Sequence, residues 1–389
     1  MSGGAMSRTL RVALIDPSLF TLPYDAALAA GLQAEGHHVV LHGRAPGPDD
    51  NATDGAPLRA SFYRVAGAPA LARLPRALLL GIKGLDHAWS MQALLRRLRR
   101  ERPDVIHFQW LPLPVVDRRF LRRLRAVAPL VLTVHDTNPF NGNPTGGLQR
   151  VGAHAAFADF DRLIVHTEQG RARLLAHGEG EGRVTLMPHG LLGRASAQAA
   201  PDAMEGEITF LLFGKIKPYK GADLLVEAFA RLDPALRAQA RLRIVGKPYM
   251  DLAPLHDLAR QRGVADRVAI EPRFVGDAEV GGIFAPGVVA TFPYREIEAS
   301  GVLSLAITFG RPILAARLGG FIEAVQDGEH GLLVPPEDVG ALSAAMARFI
   351  ADRLFAAACA AHVSALTASV PTWPEIARRT AELYASLPR

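Results

Sequence analysis

Short apolar runs alternate with stretches of helical periodicity along almost the whole chain. The runs are rich in Val, Ile and Leu at successive positions, which is typical of parallel strands that helices bury on both faces. This alternation restricts the chain to α/β domains built on parallel sheets. The predicted strands are residues 10–15, 39–41, 105–108, 130–134, 163–165, 184–187, 208–213, 242–245, 268–270, 288–292, 313–315 and 332–334.

The strands form two series, separated by a segment rich in Gly, Ala, Ser and Pro. The length of 389 residues also indicates two domains. We expect a first domain at 1–190, a linker at 191–206, a second domain at 207–370 and, within 371–389, a helix that packs back on the first domain. The predicted fold class is α/β, with two Rossmann-like domains facing each other across a cleft, and ligands bind such sheets beyond the carboxyl ends of their strands.

Composition excludes several classes of protein. Cys359 is the one cysteine of the chain, so neither a disulfide framework nor a four-cysteine zinc site is possible. No run of eighteen apolar residues occurs, and residues 1–9 lack the apolar core of a signal peptide, which predicts a cytoplasmic protein. Neither Gly-x-Gly-x-x-Gly after a strand nor a phosphate-loop consensus is present, which argues against a nicotinamide dehydrogenase and an ATPase.

Basic side chains are concentrated in the first half of the chain. Residues 59–125 hold 15 Lys and Arg against 4 Asp and Glu, most densely at 96–100 and 118–123. Two interpretations are open. The arginines can form solvated helix faces, or residues 73–125 can make peripheral contact with an anionic membrane, on its inner face, or with an acidic acceptor. No nucleic-acid-binding module accompanies the charge, so nucleic acid is not an expected partner.

The most informative segment is a basic turn between a predicted strand, 208–213, and a predicted helix, 222–232. It contains Gly214, Lys215 and Lys220. Glycine allows close approach of the backbone to a ligand, and a helix N-terminus offers free N–H groups and partial positive charge. Lysines added there predict a diphosphate site, and a solvated basic loop is the alternative.

The second half resembles the retaining nucleotide-sugar-dependent glycosyltransferases of family 4, which have the GT-B fold. The segments that carry the resemblance, in the family's order, are Met187-Pro188-His189-Gly190, Gly214-Lys215 with Lys220-Gly221, the turn at Gly246, Gly310 to Ala315 with Gly319-Gly320 and Glu323, and Gly331 to Pro335. The resemblance implies that Lys215 and Lys220 neutralise the donor diphosphate in place of a metal. It implies a UDP- or GDP-linked sugar as substrate, with no cofactor.

One stretch departs from the family's pattern. Two glutamates eight residues apart are common there, and Ile297 and Leu305 occupy their places, so the motif is degenerate. We still expect the loop to face the donor. Glu296 or Glu298 would bond sugar hydroxyls, and backbone N–H groups at a helix start would bond phosphate or sugar oxygens. Those N–H groups belong to Ser300, Gly301 and Val302. On the base side, Arg273 and Phe274 follow a strand where the family's nucleobase rests.

The first half supplies the expected acceptor side. His135 ends a predicted strand, and the resemblance implies that it bonds a hydroxyl of the transferred sugar, which makes it a catalytic candidate with Lys215 and Lys220. The expected acceptor contacts are Tyr24, Asp25, Gln109, Trp110, Asp136 and Asn138. Asp159-Phe160-Asp161 looks like the metal motif of a different transferase fold, and we expect no metal site.

The resemblance and the residues together predict a metal-independent hexosyltransferase that acts with retention in glycan, polysaccharide or glycoconjugate biosynthesis. Its acceptor would be a glycan or a lipid-linked hydroxyl. Two alternatives stay open: a sugar phosphorylase on the same fold, and a non-catalytic protein that binds a glycan or a nucleotide-sugar. The base, the sugar and the oligomeric state are not determined by these residues.

Overall fold

The computed structural model describes residues 8–51, 53, 55–68, 71, 74–137, 152–193 and 204–388. The chain divides into two compact units. The first unit comprises Met1–Pro188 and Thr372–Arg389, and the second comprises His189–Pro371. Most of the predicted linker, residues 194–203, and the candidate Asn138 lie outside the described residues.

The first unit is built on a seven-stranded sheet in which every pair of neighbouring strands is parallel, in the order β3-β2-β1-β4-β5-β6-β7. Strand order reverses beside β1, because β2 and β4 are both its neighbours. The strands are β1 Arg11–Ile15, β2 His38–Arg44, β3 Leu58–Phe62, β4 Val105–Phe108, β5 Leu130–Thr133, β6 Arg162–Val165 and β7 Val184–Leu186.

Helices cover both faces of this sheet. Successive residues of β1 alternate between two apolar clusters: Ala13 and Ile15 pack in one, and Val12 and Leu14 in the other. This two-residue period is the reason that the strands are apolar at every position. The helices of the unit are α1 Leu22–Ala34, α2 Arg76–Glu101, α3 Pro114–Arg125, α4 Ala153–Phe157, α5 Glu168–Ala176 and α14 Trp373–Ala385.

The last helix, α14, belongs to the first unit and lies against α1. Thr372 and Glu375 form a capping box at its start, which fixes where the helix begins. A Cβ added to Gly31 of α1 would lie 2.9 Å from both the Ala377 side chain and the Trp373 carbonyl oxygen. The two helices therefore meet backbone to backbone at Gly31.

The second unit contains a six-stranded parallel sheet in the order β10-β9-β8-β11-β12-β13. Its strands are β8 Ile208–Phe213, β9 Ala240–Val245, β10 Val268–Glu271, β11 Val288–Phe292, β12 Ile313–Ala316 and β13 Gly331–Val334. Its helices are α6 Ala222–Ala230, α7 Pro234–Arg237, α8 Ala253–Gln261, α9 Asp277–Ile283, α10 Gly301–Thr308, α11 Gly319–Ala324, α12 Val339–Ala351 and α13 Arg353–Leu366.

Within the described residues, no single helix is long and apolar enough to cross a membrane. The helices α12 and α13 reach that length and composition only together, as a pair bent by 97°.

Every predicted strand is present, and the ends agree within two residues except at β2, which extends three residues beyond its predicted end. The strand that the sequence did not indicate is β3. Phe62 is its single buried residue, and the other four positions are half-buried or exposed, as is common at a sheet edge. An edge strand of this kind lacks the continuous apolar run on which the predictions depend.

The contact at Gly31 predicts that replacement by alanine destabilises the protein, although such a replacement usually stabilises a helix. Ala usually stabilises a helix interior by about 0.5–1 kcal/mol relative to Gly. We expect Gly31→Ala to lower the free energy of unfolding by about 1–3 kcal/mol, because α1 and α14 must separate to admit the methyl group. Urea denaturation measures the change. Gly81→Ala in α2 is the control: its Cβ would meet no atom within 4 Å, so it should stabilise. Equal effects of the two substitutions would contradict this account.

Candidate functional site

The basic turn of the second unit is a tight connection between β8 and α6. Gly214 and Gly221 both have positive φ, 95° and 68°, which side chains with a Cβ rarely adopt. A Cβ on Gly221 would overlap the Pro293 carbonyl group, and one on Gly214 would lie 3.2 Å from both Lys220 Nζ and the Val302 side chain. The turn is thus compact. Gly214, Lys220 and Val302, each predicted from the sequence as a contact of the sugar donor, are neighbours in it.

The ammonium group of Lys220 lies inside this turn. The residue is only 5% exposed, and its Nζ donates to the Phe213 carbonyl oxygen at 3.2 Å. Nζ also lies 5.2 Å from the centre of the Tyr294 ring. Burial, reinforced by the charges of Lys215 and Lys217, lowers the pKa of Lys220 to about 7. An anion placed at the turn would offset the unfavourable free energy of burying the ammonium charge and so favour the charged amine.

Two further lysines flank the buried one. Lys215 is exposed at the mouth of the turn. Lys217 is buried, with Nζ 5.9 Å from the ring centre of Tyr219 and 5.8 Å from that of Tyr249. Lys217 was not among the predicted site residues, although its position in the same lysine-rich turn was visible in the sequence.

The turn after β9 supports the basic turn through its backbone. A Cβ on Gly246 would overlap the Gly214 carbonyl group, so only glycine lets the two turns approach this closely. Gly214 donates its N–H to the Val245 carbonyl oxygen at 3.0 Å, and Ile216 donates to that of Lys247 at 2.9 Å. Gly246 was predicted to contact the nucleotide-sugar, and in the structure it packs against the backbone of Gly214.

The loop after β11 is tied to the basic turn by Arg295. Its guanidinium contacts Asp223 at 2.6 Å, Glu337 at 3.0 Å and the Pro218 carbonyl oxygen at 3.0 Å. Its backbone N–H donates to the Tyr219 carbonyl oxygen at 2.7 Å. Arg295 was not among the predicted site residues, because a lone arginine in a loop carries no local signal of these long-range partners.

The same loop leads into α10. The Ser300 hydroxyl caps this helix by accepting from the Leu303 N–H at 3.4 Å, so Ser300, Gly301 and Val302 lie at a helix start as predicted from the sequence. Glu296 is exposed. Glu298 is buried, and its carbonyl oxygen accepts from the Gly320 N–H at 2.8 Å, which joins the loop to the start of α11.

The candidates for the base side lie after β10. Arg273 forms ion pairs with Glu279 at 2.8 Å and Glu271 at 3.8 Å. Phe274 is half-buried. Two strands separate β10 from β11, so these residues lie at the same sheet edge as the basic turn but toward its β10 end.

In the first unit, His135 follows β5 and belongs to a chain of polar groups. Its Nδ1 lies 3.1 Å from His166 Nε2, and its Nε2 lies 3.3 Å from Gln109 Oε1. His166 Nδ1 lies 3.0 Å from the carbonyl oxygen of Met187. The ring of Tyr24 meets His135 edge-on, with centroids 4.9 Å apart. His166 was not predicted, because it is 31 residues from His135 in sequence and only the pairing of β5 with β6 joins them.

The donors and acceptors in this series of hydrogen bonds follow from the bonding capacity of each group. The Met187 carbonyl can only accept, so His166 carries its proton on Nδ1. A neutral His166 then accepts at Nε2 from His135 Nδ1–H, which leaves a lone pair on His135 Nε2. The structure places the Gln109 amide oxygen 3.3 Å from this nitrogen and the amide nitrogen 3.4 Å from His107 Nε2. Exchanging the two ends of the amide, which are interchangeable assignments, would direct an N–H group at the lone pair. A ligand hydroxyl that replaced Gln109 would therefore donate to His135 Nε2.

An aromatic pair lies near this polar chain. Phe20 stacks on Trp110, with ring centres 4.5 Å apart and planes inclined by 24°, and Phe20 is 40% exposed. A small pocket next to Trp110 is lined by Gln109, Trp110, Leu111, Pro114, Leu132, Thr133, Val134, His135, Asp136, Ala153 and Phe157. The structure thus brings three predicted acceptor contacts, Gln109, Trp110 and Asp136, beside His135.

Two predicted acceptor contacts are interior instead. Tyr24 is 3% exposed, and Asp25 is fully buried in the first turn of α1. Thr21 Oγ1 donates to Asp25 at 3.1 Å and also contacts Asp16 at 3.3 Å. Burial first, then the neighbouring Asp16 charge, raises the pKa of Asp25 well above its usual value. No part of Asp25 and little of Tyr24 reaches the surface of this structure, and direct acceptor contact by these two side chains stays a prediction.

The described residues contain no group of three or more His, Cys, Asp or Glu side chains that could hold a metal ion. The two aspartates of Asp159-Phe160-Asp161 pair with arginines of α3: Asp159 with Arg118 at 2.7 Å and Asp161 with Arg125 at 2.5 Å.

Two family models match the chain, one in each unit. The "Glycosyl transferase 4-like domain" matches residues 23–190, and "Glycosyl transferases group 1" matches residues 207–352. Among curated relatives, a D-inositol 3-phosphate glycosyltransferase of Geodermatophilus obscurus is 31% identical over 306 residues, covering 71% of this chain and 66% of the relative. One from Streptomyces avermitilis is 31% identical over 258 residues, covering 62% and 55%. The chain thus spans slightly less than two thirds of the first relative and little more than half of the second.

Solved structures match almost the full chain. Anabaena Alr3699/HepE in complex with UDP and glucose has a TM-score of 0.74 at 19% identity, covering 97% of this chain and 100% of that chain. WaaG, a glycosyltransferase involved in lipopolysaccharide biosynthesis, has a TM-score of 0.69 at 18% identity, with the same coverage. This likeness confirms the predicted GT-B fold class.

The buried Lys220 predicts that stability depends on pH. Its folded-state pKa, about 7, is below the ordinary lysine pKa of 10.5, so the unfolded chain binds more protons between these two values. Stability should therefore rise as pH increases from 7 toward 10.5, and the full penalty for the buried charge should apply below pH 7. We expect Lys220→Met to stabilise the protein at pH 6 by about 2–4 kcal/mol, and by much less at pH 10. Urea denaturation at both pH values measures this, with exposed Lys247→Met as the control. A gain at pH 6 no larger than that at pH 10 would contradict the burial argument.

The ion pairs of Arg295 predict a stability effect larger than that of a surface arginine. Arg295→Ala removes contacts to two carboxylates and one carbonyl group, so we expect a loss of about 1–2 kcal/mol. Arg260→Ala, which removes an exposed pair with Asp257 only three residues away, should cost less than about 0.5 kcal/mol. Thermal unfolding compares the two variants, and equal losses would show that Arg295 does not hold the turn.

Proposed function

We propose, from the premise that this chain belongs to glycosyltransferase family 4, that it transfers a sugar from a nucleoside diphosphate to an acceptor hydroxyl. The observation that carries the proposal is the basic turn at 214–221. Its buried lysine, exposed lysine and close-packed glycines form a receptor for a diphosphate at the carboxyl edge of the second sheet. The complexes of Alr3699/HepE with UDP and with UDP-glucose support a UDP-linked donor.

The donor side would act through charge. As the glycosidic bond breaks, negative charge grows on the departing diphosphate, and cations that meet this charge stabilise the transition state more than the ground state. Lys215 and Lys220 would supply these cations, and N–H groups at the start of α10 would add partial positive charge. With the diphosphate neutralised by these groups, the reaction needs no metal and no cofactor.

Lys220 would change its protonation state during binding. Part of the amine is uncharged at neutral pH, because burial lowers the pKa of Lys220 to about 7. A bound diphosphate stabilises the ammonium form and draws a proton from solvent. Donor binding would therefore weaken as pH rises above 7.

The acceptor side would use the polar and aromatic groups of the first unit. His135 Nε2 would accept from a sugar hydroxyl in place of Gln109. The exposed Phe20–Trp110 stack offers the flat apolar surface against which the C–H face of a sugar ring packs, which favours a glycan or glycosylated lipid acceptor. Retention is the outcome implied by the family, with the leaving phosphate deprotonating the acceptor.

Glycan, polysaccharide or glycoconjugate biosynthesis in the cytoplasm is the setting that this reaction suggests. Peripheral contact with the inner face of the membrane through residues 73–125 belongs to the same proposal, since lipid-linked acceptors lie at that surface.

Replacing both site lysines tests the proposal. We expect Lys215→Ala with Lys220→Ala to weaken UDP binding by at least about 100-fold in calorimetry, because two contacts of a cation with the diphosphate are lost. Circular dichroism should show an unchanged fold. Arg260→Ala, in the same unit, should bind UDP like the unmodified chain. Unaltered UDP affinity in the double variant would refute the assignment.

A second function, nucleotide-sugar binding without catalysis, is favoured by Ile297 and Leu305 at the places of the family's glutamate pair. Incubation with UDP-sugars separates the two functions. Release of UDP with a sugar acceptor, or slowly with water, supports the transferase. Tight binding with no release on any acceptor supports the binding protein.

A further inference from the structure

The outward side of α2 is unusual among the helices of the first unit. At about 100° per residue, positions 78, 85, 89, 96 and 100 fall within one sector of about 60° on the helix surface. The first three are Leu78, Leu85 and Trp89, whose exposed fractions are 52%, 76% and 76%. The last two are exposed arginines, Arg96 and Arg100. We refer to these five residues as the outer stripe.

The opposite side of α2 is anchored firmly, so the outer stripe is a fixed surface. Met91, Leu94, Leu95 and Leu98 are each no more than 1% exposed and pack in the core of the first unit. Two polar contacts add to this: the Asp86 carboxylate accepts from the Val65 and Ala66 N–H groups, and His87 Nε2 lies 2.6 Å from Asp117 Oδ1 of α3. Rotation of the helix to bury the stripe would break all of these contacts.

The position of the apolar residues within the stripe is also ordered. Leu78, Leu85 and Trp89 occupy about 16 Å of helix, followed by the arginines about two and three turns further on. Val65, whose backbone is bonded to Asp86, adds another exposed apolar side chain next to this segment. The contiguous apolar surface of a soluble domain is usually small, and one bordered by like charges indicates an interaction site.

The arginines near the stripe lack acidic partners. Within the described part of the chain, no carboxylate lies within ion-pair distance of Arg96, Arg99 or Arg100 of α2, or of Arg119 or Arg123 of the adjacent α3. By contrast, Arg59 of β3 pairs with Glu101 at 2.6 Å. The positive charge at this end of α2 is therefore available to an external anion.

We propose that the outer stripe is the surface by which the protein lies on an anionic lipid membrane. Leucine and tryptophan side chains would enter the boundary between headgroups and acyl chains, and the arginines would contact the phosphates. A second copy of the chain is a poorer fit, because bringing two stripes together would place unpaired arginines near each other or against the apolar segment. This inference extends the proposed function by placing the acceptor side of the enzyme at a lipid surface. It does not depend on donor binding by the second unit.

Flotation with vesicles tests the proposal. The full chain, at low salt, is mixed with vesicles of phosphatidylcholine and phosphatidylglycerol in equal parts, or of phosphatidylcholine alone. We expect it to float with the anionic vesicles, with at least tenfold weaker binding to the neutral ones and reduced binding at high salt. Leu85→Glu with Trp89→Glu should weaken binding to anionic vesicles at least tenfold, and Arg96→Glu with Arg100→Glu should do the same.

Matched controls keep the test independent of folding and of donor binding. Leu354→Glu places the same change at a leucine of the second unit that is 85% exposed, and Arg231→Glu reverses an exposed charge there. Both should float like the unmodified chain. The stripe variants should retain the melting temperature and the shift that UDP produces, so a failure of donor binding is seen separately.

Three results would overturn the proposal. The first is an unmodified chain that does not float with anionic vesicles at low salt. The second is stripe variants that float as well as the controls. The third is a dimer by light scattering that the Leu85→Glu with Trp89→Glu variant converts to a monomer with vesicle binding unchanged, which would assign the stripe to a second copy.

Discussion

A buried ammonium group is the constraint on which the basic turn of the second unit depends. Lys220 is enclosed by the Phe213 carbonyl group and the Tyr294 ring, and among the described residues no carboxylate pairs with its Nζ. Enclosing a cation without a counter-ion is unfavourable, as its low pKa shows. The buried ammonium group is kept in place because the close-packed glycines and the contacts of Arg295 hold the turn together. A bound anion would remove this unfavourable free energy, and under the proposed function that anion is the donor diphosphate.

Around His135, the first unit handles buried polarity in the opposite way, by pairing the polar groups with one another. The Met187 carbonyl, His166, His135 and Gln109 form a continuous hydrogen-bonded chain, and His107 connects Tyr384 of α14 to Thr133. Interior polar groups that are fully paired rigidify a site. His135 is thus oriented before any ligand arrives, while its contact to Gln109, at 3.3 Å, is the longest link and the easiest to exchange.

The arginines in the described part of the chain fall into two groups, those that pair with carboxylates and those that do not. Arginines with structural roles have carboxylate partners at short range, as in Arg295 with Asp223 or Arg118 with Asp159. Those on the outer side of α2 do not, and they accompany apolar side chains that the fold leaves uncovered. A helix that anchors one side in a core and presents leucine, tryptophan and arginine on the other is suited to a surface that is both apolar and anionic.

The sequence by itself determined the two α/β units and the basic turn, because buried parallel strands leave unbroken runs of Val, Ile and Leu, and because glycines and lysines of one turn are adjacent in the chain. It also located Ser300 to Val302 at a helix start. Tertiary structure alone decided that Tyr24 and Asp25 point inward, that His166 orients His135, and that Arg295 fastens two loops more than 70 residues apart in sequence. Those relations join residues on different strands and loops, so no local pattern records them. Burial of Lys220 belongs with them, since a lysine in a loop is ordinarily solvated, and only the packing of Phe213, Gly214 and Tyr294 around it encloses its charge.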